Sequence, residues 1–377
     1  MAARKFGIWA VLLLLIAMAI APFTWTVAGI APQPLTAEET RVPPAPAGSR
    51  AETAAVELDP AFAPVRDAAA RGDLAALERL ALEQFPIDTA DTDGKTALRI
   101  AAEAGHVSAV RRLVQAGADP SIAGRDGVTP LMSAAERGFG AVVRLLAAGR
   151  APALINAQAP DGTSALWLAA RGCHDTSISA LVTAGAGAGP AAGLTPLMAA
   201  SRSCDPHTLS LLVDAGAAIG AAGPDGRQAL WHAVDAGNAG AAAYLVTRGA
   251  AADSEDAAGE TPLMRALARG HIGIANMLLA AGADANHESR NGSTPLILAA
   301  RLDGAEGVRA LIAKGANINA RNKFGNTALM IAASAGRKET VDALLENGAD
   351  RKLRNGVRDL ARDLAAASGH GGIASQL

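Results

Sequence analysis

Aromatic rings are scarce in this chain. Of its 377 residues, one is tyrosine, four are tryptophan and six are phenylalanine, an aromatic share of 3%. That excludes a core built from ring stacking. Half of the chain is nevertheless apolar, so the interior must come from Ala, Leu, Val and Ile. Such side chains suit short helices that approach closely. An excess of either charge is also missing. Lys and Arg number 34 against 36 Asp and Glu, for a formal net charge of −2, which gives no case for nucleic acid. Catalytic signatures are lacking too. There is no P-loop, no HExxH and no GxSxG, and no Ser, His and acid are placed by a recognisable signature. The sequence therefore announces no enzyme, no cofactor and no small-molecule substrate. Gly185-Ala-Gly187-Ala-Gly189 resembles half a nucleotide loop, but no Lys-Ser/Thr follows it.

Charge is absent outright from Phe6 to Ala37. The strongly apolar part, residues 6–30, exceeds the roughly 20 residues that span a bilayer as a helix. Arg4 and Lys5 precede it and Glu38 and Glu39 follow, so the positive-inside rule places the N-terminus in the cytoplasm and the rest outside. Two readings of residues 1–30 stand: an inner-membrane signal-anchor, or a signal peptide cut after Ala28. Length favours the anchor, as do Phe23 and Trp25 near the outer interface. Both export the rest of the chain to the periplasm, as an anchored or a soluble protein. Residues 31–59 hold Pro32, Pro34, Pro43, Pro44 and Pro46 and read as an extended linker.

From residue 60 the chain is periodic. Turn glycines stand at Gly94, Gly127, Gly162, Gly193, Gly226, Gly259, Gly292 and Gly325, in steps of 33, 35, 31, 33, 33, 33 and 33. A closing glycine recurs from Gly117 to Gly348, followed by Ala except at Arg150. In the unit from Gly259 to Asn291, Thr261 caps a helix and Pro262 fits its first position. The helix runs from Leu263 to Arg269 and stops at Gly270. A second helix carries Ile274, Leu278 and Leu279 on one side and ends at Gly282. Such a unit cannot bury its apolar side alone and needs a neighbour on each side. The segments DGKTALRIAAEAGH, DGVTPLMSAAERG, GLTPLMAAS, GETPLMRALARGH, NGSTPLILAA and FGNTALMIAASAG resemble the ankyrin-repeat family. The composition adds a bacterial cast. The resemblance implies an all-α, right-handed solenoid of stacked helix pairs with short β-hairpin loops, used to bind other proteins. About eight full repeats are expected within residues 60–377, with caps at about 60–90 and 357–377. The caps read as helices over 60–71, 73–84 and 357–368, ending in a stub at 373–377.

The sequence departs from the family's TPLH motif at its histidine. Arg99, Met132, Trp167, Met198, Trp231, Met264, Ile297 and Met330 occupy that position, which predicts apolar packing there. This stripe reads as core before it reads as a ligand groove. His106, His174, His271 and His370 precede second helices and read as structural. The Asn291-Gly292-Ser293 glycosylation sequon falls on a required turn glycine, which argues against its use.

Cys173 and Cys204 occupy one position of adjacent repeats, where Gly105, Gly138, Gly237, Gly270 and Gly336 stand elsewhere. That position calls for positive φ, so both cysteines are expected in a conformation disfavoured for a side chain. Export would let a disulfide persist. Against it, stacked helices sit about 10 Å apart, while a bridge needs Cα atoms within about 7 Å. Unpaired thiols remain an alternative. So does a soft-metal site with His174 and His207, within a redox or metal-handling accessory protein.

The loop tips differ in charge. Asp253, Glu255, Asp256 and Glu260 make one acidic patch. Arg290, then Arg321 and Lys323, then Arg351, Lys352 and Arg354 make a basic succession spaced by one repeat. Stacking would align these into a strip for a protein partner with an acidic surface, with anionic lipid headgroups as the competing ligand. Any one of these charges, taken alone, reads as a solvated loop residue.

Overall fold

The computed structural model describes residues 62–82, 86–189 and 193–377. They belong to one of two units into which the chain divides, Val56–Leu377. The expected membrane segment at residues 6–30 and the linker at 31–59 lie outside the described residues.

Helices come in pairs. The first pair is α1 (Phe62–Arg71) with α2 (Leu74–Leu82), followed by α3 (Ala97–Glu103) with α4 (Val107–Gln115), and α5 (Pro130–Glu136) with α6 (Gly140–Ala147). A single turn, α7 (Pro152–Ile155), fills the step of 35 residues. Then come α8 (Ala165–Arg171) with α9 (Asp175–Thr183), α10 (Pro196–Ser201) with α11 (Pro206–Asp214), and α12 (Ala229–Asp235) with α13 (Ala239–Thr247). The last pairs are α14 (Pro262–Arg269) with α15 (Ile272–Ala280), α16 (Pro295–Ala299) with α17 (Glu306–Ala313), α18 (Ala328–Ser334) with α19 (Lys338–Glu346), and α20 (Ala361–Ala367) with α21 (Gly371–Gln376). First helices pack on first helices from each pair to the next, and second on second as far as α19.

Local chemistry explains the starts and stops. Thr96, Thr129, Thr195, Thr261, Thr294 and Thr327 each cap a first helix, the hydroxyl accepting the backbone N–H three residues on. That satisfies one of the amides a helix start leaves orphaned. Gly270 ends α14 at φ 76°. The core is small-residue throughout: Ala101, Ala134, Ala169, Ala233, Ala266 and Ala332 are fully buried beside Leu98, Leu230 and Leu263. Each buried leucine contributes about 1.5–3 kcal/mol relative to exposure.

The structural reading of the Gly-His histidines holds. A Cβ on Gly138 would come 2.6 Å from the His174 ring, and one on Gly336 would come 2.5 Å from the His370 ring. Each ring lies over the glycine between the two helices of the preceding unit, so glycine there answers to space as well as to φ.

Several expectations need correction. The loops are hairpin-shaped but contain no strand among the described residues, only the isolated bridges Ala90↔Thr96 and Gln158↔Ser164. The C-terminal helix begins at Ala361, not Val357. Residues 357 and 358 belong to one more hairpin, and Arg358 holds φ 72° where the earlier hairpins have glycine. The motif's histidine position is buried as expected at Met132, Met198, Trp231, Met264, Ile297 and Met330. Arg99 is the exception to apolar packing. It is 3% exposed and makes a bidentate pair with Asp126 of the next hairpin, both contacts 2.6 Å. This pairing holds the Asp126 carboxyl at about 2, below its usual range. Trp231 is buried with the Arg227 guanidinium 3.7 Å and the Arg265 guanidinium 4.9 Å from its ring centroid. Cations occupy that ring's neighbourhood, and the stripe is core.

Candidate interaction surface

Among the described residues, an Asx side chain caps the amides of each hairpin tip in one of two ways, one accepting two amides and the other accepting one. Call the turn glycine position zero. In one kind of hairpin the residue at −3 accepts the amides at −1 and +1. Asp91 takes Asp93 and Lys95; Asp256 takes Ala258 and Glu260; Asn322 takes Phe324 and Asn326; Asn355 takes Val357 and Asp359. In the other kind the residue at −1 accepts the amide at +1: Asp126, Asp161, Asp225 and Asn291 take Val128, Thr163, Arg227 and Ser293. These are Asx turns. Where −3 supplies the carboxylate or amide oxygen, the −1 side chain carries no capping duty. Asn291 is engaged in its turn, as the sequon's position suggested.

Hairpins are also stitched to one another. The amide at −2 donates to the carbonyl at −1 of the preceding hairpin: Ala257 to Asp225 at 2.8 Å, Arg290 to Ala258 at 3.0 Å, Lys323 to Asn291 at 3.0 Å and Gly356 to Phe324 at 2.8 Å. Pro160 and Pro224 stand at −2 in two earlier hairpins and have no N–H to give. The tips from Asp225 to Gly356 therefore form one backbone-bonded row.

The hairpins of that row carry Arg290, Arg321, Lys323 and Arg354, and Arg351 and Lys352 lie in the separate turn after α19. Arg290, Arg321, Lys323, Arg351, Lys352 and Arg354 are all exposed. Among the described residues none of the six makes an ion pair. Three are positioned by carbonyls: Arg321 donates to Gly325 and Arg354, Arg354 to Arg358, and Arg351 to Gln376. The acidic patch loses a member. Asp256 is 6% exposed and pairs with Arg227, so it is a turn residue rather than a free tip charge. Sequence reasoning missed Phe324 and Val357, which are 69% and 76% exposed. Both stand at −1, in consecutive hairpins of the kind that frees that position. The signal was present in the sequence: the tip pair is Phe-Gly at 324–325, where Asp-Gly or Asn-Gly is the commoner form.

Cys173 and Cys204 lie with their sulfurs at disulfide distance and their Cα atoms 5.3 Å apart. Cys173 takes the expected positive φ, at 56°. Cys204 does not. Its amide bonds to the Ala200 carbonyl at 2.8 Å, so α10 runs into an ordinary turn rather than a left-handed one. The approach has a second cause. Where a His ring covers the glycine between paired helices in other repeats, the position above Cys173 is Asp205. Its carboxylate caps α11 at the Thr208 amide. No ring therefore stands where the Cys173 side chain needs room. The soft-metal grouping does not assemble. His174 Nε2 meets the Glu136 carbonyl at 3.0 Å, and His207 faces Asp175 at 3.8 Å. The glycine run is likewise occupied, with the Gly187 amide bonded to Asn156 Oδ1 at 2.7 Å.

Comparison with known families gives one match. The family model for ankyrin repeats (3 copies) matches residues 66–158, 205–289 and 278–355. No curated protein matches the chain. The matches leave out 159–204, the stretch with the short step and the facing cysteines. They cover more than half of the sequence, and the helix pairs and capped hairpins lie in register with them: the chain belongs to the ankyrin-repeat family.

Proposed function

We propose that this protein is a membrane-tethered, extracytoplasmic scaffold that holds a protein partner against the hairpin tips at its C-terminal end. Ankyrin repeats generally mediate protein–protein interaction. The observation that carries the finer reading is the set of exposed, unpaired cations Arg290, Arg321, Lys323 and Arg354 on hairpins bonded through their backbones, with Arg351 and Lys352 in the turn just after α19. A fixed cluster of cations at one end of the row steers and orients a partner of opposite sign more than it adds affinity. The partner's surface is accordingly acidic. Tethering rests on the apolar run at 6–30 behind Arg4 and Lys5.

Two experiments test the reading. Changing Arg321, Lys323, Arg351 and Lys352 together to Ser should slow association, at low salt, with a protein captured by crosslinking to the parent in native membranes. The melting temperature should hold, because exposed charges contribute little to stability. Equal association rates would remove the strip from the account. For location, alkaline phosphatase fused after Leu377 is active only if exported. Activity supports the topology and inactivity contradicts it. A mature soluble chain starting near Gly29 would identify a cleaved signal instead of an anchor.

The facing cysteines support a structural clasp within this scaffold rather than a redox centre. Cys204 is 2% exposed, which shields one sulfur from an attacking thiolate.

A further inference from the structure

We infer that Phe324 and Val357 form the apolar seat, within the basic row, for an acidic peptide segment that also carries an apolar side chain. The inference rests on the scaffold reading and specifies its partner. Neither side chain has a structural task. Asn322 and Asn355 hold the turn amides, so position −1 is released in both hairpins. The same release at the Asp256 hairpin is filled by Ala258, a side chain too small to matter. At 324 and 357 it is filled by large apolar groups left in water. The two hairpins are directly bonded, Gly356 N–H to the Phe324 carbonyl, so the exposed groups sit one stacking step apart on a common backbone.

Cations surround this pair in the sequence and in the fold. Arg321 and Lys323 flank Phe324, and Arg354 and Arg358 flank Val357, all exposed. Arg358 is placed at a cost, since it holds φ 72° where a glycine would be unstrained. Arg321 and Arg354 are tied to hairpin carbonyls and so present their charge from fixed positions. An apolar contact flanked by unpaired positive charge fits a chain segment that offers both an apolar group and carboxylates. Recognition by apolar anchors with a charged rim is the usual anatomy of a binding spot. An anionic membrane fits less well. The same row carries exposed Asp253, Glu255 and Glu288 one or two hairpins away, and a flat anionic surface would meet those as well. A peptide spanning two tips would not.

The test selects peptides from a random library on the purified full-length protein and measures their affinity by fluorescence anisotropy. Three proteins are compared: the parent, the F324S/V357S variant, and the R321S/K323S/R354S variant. Recovered peptides should combine acidic with apolar residues. Binding should weaken by about tenfold in the F324S/V357S variant, with its salt dependence unchanged. The charge variant should weaken binding and flatten the salt dependence. If peptides bind F324S/V357S as well as the parent but lose the charge variant, the scaffold reading stands and the apolar seat falls. If neither variant changes binding, both fall. If the parent selects no such peptides yet co-sediments with phosphatidylglycerol vesicles and not phosphatidylcholine ones, the surface faces lipid and the inference is overturned. Unchanged melting temperatures in both variants confirm that the losses are of binding.

Discussion

Single positions in this chain answer to two different demands, backbone conformation and space, and both can be tested at one atom. At Gly292, φ is 74° and an added Cβ would approach the Lys323 amide nitrogen to 3.0 Å. Gly292→Val should destabilise by at least about 1 kcal/mol, since a β-branched residue is forced to positive φ. Urea unfolding would show it as a lowered midpoint with an unchanged slope. His232 poses a different test. It is 7% exposed and both ring nitrogens lack a partner. Burial holds its pKa below the usual value, with the Arg202 and Arg227 charges acting in the same direction against Asp225 and Asp235. The folded state therefore binds a proton less readily than the unfolded one. As pH falls below about 6.5, the unfolded state gains protons first and stability declines. The melting temperature of the parent should drop between neutral pH and pH 5 by more than that of His232→Leu. Parallel curves would contradict this account.

At the scale of the element, helix limits were open to sequence reasoning because their causes are local. Thr261, Pro262 and Gly270 delimit α14 as expected, and the buried side of α15 is the expected one. The hairpins were less legible. Which Asx residue caps a turn depends on exchange between −3 and −1, and only when that exchange is seen do Phe324 and Val357 become conspicuous. Arg99 escaped for a similar reason. Its pairing with Asp126 crosses from one repeat to the next, and a motif position scored as apolar hides a charge whose partner is 27 residues away. At the cysteines, helix spacing argued against a bridge, but the turn after α10 and Asp205 in place of a ring let the two approach. The clasp makes a direct prediction. A non-reducing mass measurement should find two hydrogens missing and no thiol labelling in unfolded, unreduced protein. A closed loop of about 30 residues contributes roughly 3–4 kcal/mol in the chain-entropy view. Cys204→Ser should therefore lower the unfolding midpoint, and two freely labelled thiols would end the idea.

For the molecule as a whole, periodicity decided the architecture because each contact in such a stack reaches only the neighbouring unit. An unbroken register of turn residues is thus nearly a contact map, whereas composition alone gave only an aliphatic core of short helices. A circular dichroism spectrum should be dominated by helix. Periodicity says nothing of a partner, because a surface has no register to obey. What marks the surface is departure from the repeat: cations without ion pairs, and apolar tips released from capping. The central claim is that these C-terminal tips hold a protein partner. The most direct measurement places a photo-crosslinking amino acid at Lys323, at Val357 and, for comparison, at Arg125 on an early tip, each in the full-length protein inside whole cells. The account predicts a discrete protein adduct of the same mass from 323 and 357 and none from 125. Equal labelling from all three, adducts with lipid alone, or no adduct at 323 and 357 would contradict it.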